Sequence, residues 1–207
     1  LTVARSSSPA SARPSALGSI AAAADLTPDE LCSNVAVVMF GAVETSEAMT
    51  ANALFHLLSH PRQLAALDQD RSLLANAIEE SLRLEPAASV VDRYATADVR
   101  FGRPGDEQLI GKGELVRLSL TAANHDPSTF AEPHRFDIRR HNASAHLAFV
   151  KGPHACIGAH MATLETAAAV EAVLDLLPGI TIDDPASARP RGLIFRKPDR
   201  LDATWPT

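Results

Sequence analysis

The chain contains few cysteines and few aromatic residues, and it has neither a long hydrophobic run nor a long basic run. Its two cysteines, Cys32 and Cys156, lie in unlike contexts and cannot form a disulfide framework, which favours a reducing, cytoplasmic compartment. No apolar stretch approaches the length of a membrane span, so no membrane association is predicted. The net charge of -6 argues against binding to nucleic acid.

The composition is that of a globular protein preceded by a segment of different character. Hydrophobic residues make up 46% and charged residues 21% of the 207 residues, which suits one domain with a core. Residues 1–26 are rich in Ser, Ala, Pro and Arg, and no acidic residue precedes Asp25. We predict a disordered or poorly packed lead-in over residues 1–26, with a transit peptide as the alternative, and a folded region over residues 27–207.

A long helix is predicted to begin at Thr27. Thr27 and Glu30 form a capping-box pattern, and helical periodicity continues to about Ser59. Residues 35–43 are apolar on all sides of this helix, which predicts that it is central and buried. The remaining pattern predicts helices over 61–68, 72–84 and 159–177, short strands over 89–92, 99–101, 115–118, 180–182 and 193–195, and a mostly irregular segment over 124–148.

The most informative segment surrounds Cys156, in the run FVKGPHACIG over residues 149–158. Gly152 and Gly158 flank the cysteine in a tight loop whose backbone can approach a flat ligand closely. An apolar-periodic helix follows, and the positive end of a helix dipole stabilises a thiolate at its entry. The pattern indicates a metal ligand or a nucleophile, and it suits a haem iron. A buried structural cysteine in a glycine-rich turn is the alternative.

This F-x-x-G-x-H-x-C-x-G pattern resembles the haem-binding loop of the cytochrome P-450 family, the haem-thiolate mono-oxygenases. Three further motifs of that family occur in the expected order: an acid–alcohol pair at Glu44 and Thr45, E-x-x-R at residues 80–83, and P-x-R-F at residues 133–136. The resemblance covers residues 26–205 and only the C-terminal half of the family's pattern. It implies a mainly α fold with small β-sheets, namely a truncated cytochrome P-450 fold of the soluble bacterial type.

Glu80 and Arg83 lie three residues apart and share a helix face, as many solvent-exposed ion pairs do. The resemblance implies instead that Glu80, Arg83 and Arg135 form one buried network, which holds the irregular segment against the helix. Two guanidinium groups around one carboxylate satisfy several buried polar groups at once.

Glu44 and Thr45 interrupt the apolar part of the long helix. A mid-helix threonine that bonds back to a carbonyl bends the helix, so a local kink is one interpretation. The resemblance implies a catalytic acid–alcohol pair that delivers protons to dioxygen. Ala42 lies in the same oxygen-binding groove, at a position where glycine is frequent in the family.

The resemblance also implies the contacts of a haem b cofactor, iron protoporphyrin IX. Cys156 is the expected iron ligand, Arg93 and His154 are expected to bind the propionates, and Phe149 is expected to pack against the thiolate side of the porphyrin. The alternatives are a surface arginine, a turn histidine and an ordinary core phenylalanine.

Three apolar segments correspond to substrate-contacting positions of the family. They are the long helix near Val38 and Ala42, the segment Ser89, Val90 and Val91, and the turn that contains Leu193 and Ile194. These segments predict an apolar small molecule as the substrate, with plain core packing as the alternative.

The resemblance therefore implies an oxidoreductase that hydroxylates an apolar small molecule with dioxygen and two electrons from a redox partner, a ferredoxin or flavodoxin served by a reductase. Two alternatives stay open: a degenerate fragment without stable haem binding, and a haem-binding module without oxygenase activity. A separate N-terminal half is a further expected partner, because a large apolar face would otherwise be exposed.

Overall fold

The computed structural model describes residues 18–19 and 26–206, so most of the predicted lead-in lies outside the described residues. The chain divides into two units, Leu1–Glu44 and Thr45–Thr207. The longest helix begins in the first unit and ends in the second. None of the helices in the described region is long and apolar enough to cross a bilayer.

The elements are mainly helices, with short strands between the third and fourth of them and near the C terminus. In chain order they are α1 (Pro28–Ser59), α2 (Pro61–Gln69), α3 (Leu74–Leu84), β1 (Val90–Tyr94), β2 (Val99–Arg103), β3 (Asp106–Ile110), β4 (Leu115–Ser119), α4 (Leu120–Asn124), α5 (Ala159–Leu176), β5 (Thr181–Ile182) and β6 (Ala203–Thr204). Single 3-10 turns lie at Arg71–Leu73 and Ala143–Ala145.

The first turn of α1 is closed by the predicted capping box. The Thr27 N–H donates to Glu30 Oε2 (2.8 Å), and the Glu30 N–H donates to Thr27 Oγ1 (3.3 Å). These bonds satisfy backbone donors that a helix start leaves without intrahelical partners. The backbone and hydroxyl donors of Thr27 also hold the pKa of Glu30 below its usual value.

In the first unit, α1 exposes apolar side chains that the sequence pattern places in a core. Val37, Met39, Phe40 and Val43 are exposed over 70%, 58%, 59% and 67% of their surface. The prediction of a buried helix is therefore wrong for this stretch. A helix that is apolar all round has a surface suited to burial, but the pattern does not supply the elements that would cover it.

The core of the second unit lies among the C-terminal half of α1, α2, α3 and α5. Leu57, Ile78 and Val170, one from each of three helices, are at most 1% exposed. Ile138, from the irregular segment that follows α4, is fully buried in the same cluster. The core therefore joins the irregular segment to the helices, and this packing holds the Cys156 loop near the start of α5.

The strands form three separate two-stranded antiparallel sheets, β1 with β4, β2 with β3, and β5 with β6. Neither β3 nor α4 was predicted. Every residue of β3 except Ile110 is exposed, so no alternation of buried and exposed residues marks it in the sequence. The five residues of α4 are too few to show a helical period.

The strand predicted over 193–195 is wrong. The segment makes only isolated bridges, Ala88 with Phe195 and Arg191 with Lys197. The reason is a tight turn at Gly192, whose φ of 119° belongs to the region that favours glycine. A Cβ at this position would collide with the carbonyl oxygen of Phe195.

A buried histidine gives the second unit a pH-dependent stability. The His56 ring is stacked on Phe136 with 5.2 Å between ring centroids, and its Nδ1 lies 2.9 Å from Ser81 Oγ. Burial, followed by the nearby charges of His60 and Arg83, lowers the pKa of His56 from 6.5 to about 3. Folded His56 is therefore neutral at pH values where the unfolded residue binds a proton.

We expect the free energy of unfolding to fall as pH drops below about 6.5, because only the unfolded state then takes up this proton. The contribution of His56 amounts to about 2 kcal/mol between about pH 8 and pH 5. Urea unfolding across this range measures it, and the His56→Gln variant is expected to show a flatter dependence. An equally steep dependence in His56→Gln would assign the effect to other groups.

Candidate functional site

The Cys156 loop has a backbone shape that places its thiol at the surface. Val150 and Gly152 have φ angles of 59° and 87°, so the chain reverses sharply just after Phe149. The Cys156 N–H donates to the Phe149 carbonyl (2.9 Å), and the Ala155 N–H donates to the Gly152 carbonyl (3.0 Å). Cys156 is exposed and unpaired, which disagrees with a buried structural cysteine.

The loop leads directly into α5. Gly158 occupies the N-cap position, and α5 begins at Ala159. A Cβ on Gly158 would lie 3.9 Å from Cys156 Sγ, which is ordinary contact. His154 is exposed in the same loop, and Ile157 is exposed over 99% of its surface. The loop therefore presents a thiol, an imidazole and an apolar side chain together on an open surface.

The start of the loop is anchored in the protein interior. Phe149 is half-buried against the core, with its ring centroid 5.9 Å from that of His146. His146 Nδ1 accepts the Ala148 N–H (3.1 Å), which assigns the ring proton to Nε2, 3.1 Å from a carboxylate oxygen of Glu79. The buried His146 ring thus packs beside Phe149, whose carbonyl accepts the Cys156 N–H.

A buried ion cluster lies on α3. Glu80 and Arg83 are both fully buried, with Arg83 Nε 2.7 Å and Nη2 3.0 Å from the two carboxylate oxygens. Arg140 Nε lies 2.9 Å from Glu80 Oε2 and 3.0 Å from Oε1. One carboxylate thus accepts from two guanidinium groups, as in the predicted network, but the second arginine is Arg140.

The predicted place of Arg135 in this network is wrong. Its side chain is 58% exposed and pairs with Glu132 (2.8 Å) and with Asp137 (3.8 Å) instead. Arg135 contributes only its carbonyl, which accepts from both Arg83 (3.3 Å) and Arg140 (3.1 Å). The reason is a turn, closed by the hydrogen bond from the Arg135 N–H to the Glu132 carbonyl (3.0 Å), which leaves the Arg135 side chain exposed while its carbonyl faces the two guanidinium groups.

The sequence contains a signal for Arg140 that the motif match passes over. Phe136, Ile138 and Arg140 are buried, whereas the intervening Asp137 and Arg139 are more exposed. The alternation reaches Arg140, two residues after Ile138, and does not include Arg135.

The cluster also holds the irregular segment through carbonyl groups. Arg83 donates to the carbonyls of Asn124 (2.9 Å) and Pro133 (2.7 Å). Arg140 donates to those of Ala131 (2.6 Å) and Glu132 (3.2 Å). Because each guanidinium group has several donors in a fixed plane, two side chains fix much of the segment that precedes the Cys156 loop.

Asn124 connects this cluster to the Cys156 loop. It is fully buried, and its Oδ1 accepts the Leu147 N–H (2.7 Å). The Leu147 carbonyl in turn accepts the Val150 N–H (2.8 Å) at the reversal of the loop. A continuous set of hydrogen bonds therefore runs from Arg83 to the loop, and sequence reasoning did not identify Asn124.

The other predicted cofactor contact, Arg93, lies on β1. It is half-buried, and its Nη1 donates to the Asp92 carbonyl (2.8 Å). The Asp92 carboxylate pairs instead with Arg117, and the hydrogen bond from that guanidinium lowers the pKa of Asp92.

The predicted acid–alcohol pair, Glu44 and Thr45, lies on α1, and so do Val38 and Ala42. Val38 and Glu44 are half-buried and Ala42 is exposed in the first unit, and Thr45, the first residue of the second unit, is half-buried. The helix continues through this position, from Pro28 to Ser59.

Two of the predicted substrate segments lie against each other. Ser89 is buried, and its hydroxyl lies 2.8 Å and 3.1 Å from the carbonyls of Leu193 and Ile194. Leu193 is 86% and Ile194 43% exposed, while Val90 and Val91 are half-buried. Plain core packing therefore does not explain the apolar turn at 192–195.

The chain is similar to known proteins in sequence and in fold. The Cytochrome P-450 family model matches residues 15–177. The monooxygenase PikC of Streptomyces venezuelae is 42% identical over 159 residues, covering 76% of this chain and 37% of PikC. The structure of the tirandamycin C-bound monooxygenase TamI has a TM-score of 0.85 at 35% identity, covering 94% of this chain and 49% of that one.

A myxobacterial cytochrome P-450 in complex with myristic acid has a TM-score of 0.84 at 32% identity, again covering 94% of this chain and 49% of that one. The chain thus spans less than half the length of these relatives. With a family model over most of its length and a helix-rich fold that matches solved structures, the chain belongs to the cytochrome P-450 family.

Proposed function

We propose that this chain carries the thiolate and proton-delivery machinery of a haem-thiolate monooxygenase that hydroxylates an apolar small molecule. The observation that carries the proposal is the exposed, unpaired Cys156 in a loop anchored to the buried cluster around Glu80. Electrons would come from a ferredoxin or flavodoxin with its reductase. Two free thiols in the chain favour the cytoplasm.

The residues present fit a haem, the cofactor that membership of this family implies. No group of three metal-binding side chains exists among the described residues, so iron at Cys156 would take its other ligands from a molecule with its own donors. A porphyrin would supply these donors, and the Cys156 thiolate would hold the iron from the protein side. When bound, haem supplies the redox chemistry that activates dioxygen.

The chain's own residues would then bind and orient the cofactor. The Phe149 carbonyl holds the Cys156 backbone, and the Phe149 ring would pack against the thiolate side of the porphyrin. Gly152 leaves open space, with no atom within 4 Å of a Cβ built on it, for a flat ring to approach. Arg93 and His154 would donate to the propionates.

Thr45 and Glu44 would handle protons. The Thr45 hydroxyl would donate a proton to the substrate dioxygen, and the Glu44 carboxyl group would replace it from solvent. Ala42 and Val38 would line the same side of α1. In the second unit, the apolar substrate would contact Val90, Val91 and the exposed turn at Leu193.

Reconstitution tests the proposal. The chain is titrated with haem and then supplied with a ferredoxin, its reductase, reduced nicotinamide cofactor and myristic acid as an apolar probe. We expect a thiolate-type Soret band under carbon monoxide and hydroxylated myristic acid. Absence of haem uptake would support a degenerate fragment, or a chain that requires a separate N-terminal half. A thiolate spectrum without hydroxylation of any apolar probe would support a haem-binding module.

Thr45→Ala is expected to keep haem binding but to reduce product formed per dioxygen consumed by about tenfold or more. Positioned proton donors typically contribute factors of about 10²–10⁴. The oxygen electrode and product analysis measure this ratio. Thr50→Ala is the matched control, because Thr50 is another threonine of α1 whose hydroxyl donates to the Ser46 carbonyl (3.1 Å). Unchanged coupling in Thr45→Ala would remove the proton-delivery assignment.

A further inference from the structure

The apolar turn at residues 192–195 is exposed yet firmly held. The Ser89 N–H and hydroxyl both donate to the Ile194 carbonyl, at 2.8 Å and 3.1 Å. The Arg196 N–H donates to the Ala87 carbonyl (2.9 Å) just beyond the turn. An exposed Leu193 on so constrained a backbone is presented to a ligand at a fixed position.

An ion pair lies directly behind this turn. Arg196 Nε lies 2.6 Å from Glu85 Oε1, and Nη2 lies 3.3 Å from Oε2. The remaining donors of Arg196 reach the Gly192 carbonyl (2.8 Å) and the Pro190 carbonyl (3.3 Å). The guanidinium group therefore connects the residue that ends α3 to both sides of the turn.

The pair is shielded from water. The Glu85 and Arg196 side chains are 15% and 30% exposed, and the hydrogen bond that Arg196 donates to the Glu85 carboxylate raises the pKa of Arg196. The buried Asn52 of α1 donates through Nδ2 to the backbone carbonyls of both Glu85 (3.2 Å) and Arg196 (2.9 Å). An exposed surface pair contributes little, but a shielded, bidentate pair supported by a core amide fixes geometry.

We propose that the Glu85–Arg196 pair, supported by Asn52, positions the Leu193–Ile194 turn and thereby fixes where its apolar side chains contact the substrate. This inference rests on the proposed function, since it assumes that the turn lines a substrate pocket. Glu85 and Arg196 are positioning residues, because they act through the backbone of the turn rather than by touching the substrate. We expect the turn to shift when either charge is removed, because the Gly192 and Pro190 carbonyls then lose a donor that is held in place.

The first measurement needs neither haem nor substrate. Amide hydrogen exchange of the full chain is compared with that of Arg196→Gln, Glu85→Gln and the double variant. We expect the Ser89 and Arg196 amides to exchange about tenfold faster in each single variant. The double variant should add little to either single variant, because both remove the same interaction. Arg200→Gln is the control, since Arg200 also pairs with an acid, Asp202, but is 80% exposed.

The second measurement uses the haem-loaded chain and saturated fatty acids of eight, twelve and sixteen carbons. Dissociation constants come from the shift of the haem absorption band. We expect the ratio between the shortest and longest acid to change about fivefold or more in Arg196→Gln and Glu85→Gln, and to stay unchanged in Arg200→Gln. A general loss of stability would weaken the binding of all three acids by the same factor.

The outcomes separate the two claims. Unchanged exchange of the amides of Ser89 and residue 196 in Arg196→Gln would overturn the positioning role, whether or not the chain binds haem. Faster exchange with an unchanged order of fatty-acid affinities overturns the substrate role. Failure of the unmodified chain to bind haem overturns the proposed function and with it the substrate role, while the exchange result still decides whether the pair holds the turn.

Discussion

Glu80→Ala is expected to lower the free energy of unfolding by about 3–5 kcal/mol, because it leaves two buried guanidinium groups without a counter-charge. Arg83 is fully buried and the Arg140 side chain is 8% exposed, so water cannot replace the lost carboxylate. A domain of ordinary stability has about 5–15 kcal/mol in total. The change therefore removes a large part of what keeps the second unit folded.

Urea unfolding followed by circular dichroism measures this loss, and the two arginines provide a sharper comparison. Arg140→Ala is expected to destabilise the protein by a similar amount, since it opens the same cluster. Arg135→Ala, matched in residue type, is expected to have a far smaller effect, because its side chain is exposed and screened by solvent. If Glu80→Ala does not fold, the comparison of the two arginine variants still shows which arginine stabilises the buried cluster. Equal losses in both would contradict the assignment of Arg140.

The difference between Arg135 and Arg140 shows how much of the buried cluster can be predicted from the sequence. Spacing alone identifies the Glu80–Arg83 pair, because two residues three apart on a helix must share a face. No such rule applies to the irregular segment at 133–140, where two turns decide which arginine side chain faces the cluster. The motif match selected Arg135, whereas the alternation at Phe136 and Ile138 indicates Arg140.

The fold follows the same division between local and long-range information. The capping box at Thr27 and the start of α5 after Gly158 are local features, and both were predicted. The burial predicted for residues 35–43 of α1 is wrong, because the apolar pattern cannot state which elements are present to cover Phe40 and its neighbours. The Glu85–Arg196 pair joins residues separated by 111 positions, so only the folded chain reveals it.

Cys156→Ala is expected to abolish the thiolate-type Soret band completely. The change removes the one atom that would bind iron, and it leaves the hydrogen bond from residue 156 to the Phe149 carbonyl intact, since that bond uses only the backbone. The loop should therefore keep its shape, and amide exchange of the loop should stay unchanged. His154 lies two residues away, but an imidazole is a neutral ligand and gives a different spectrum.

Carbon monoxide difference spectra of the reduced, haem-titrated chain measure the effect. Cys32→Ala is the matched control, because Cys32 is the other exposed thiol and lies in the first unit. We expect Cys32→Ala to retain the full thiolate signal. A thiolate-type spectrum that survives in Cys156→Ala, or one that disappears in Cys32→Ala, would show that the anchored loop does not supply the iron ligand. Loss of the signal only in Cys156→Ala would assign the iron ligand to the loop that hydrogen bonds through Asn124 and Leu147 connect to the buried cluster at Glu80.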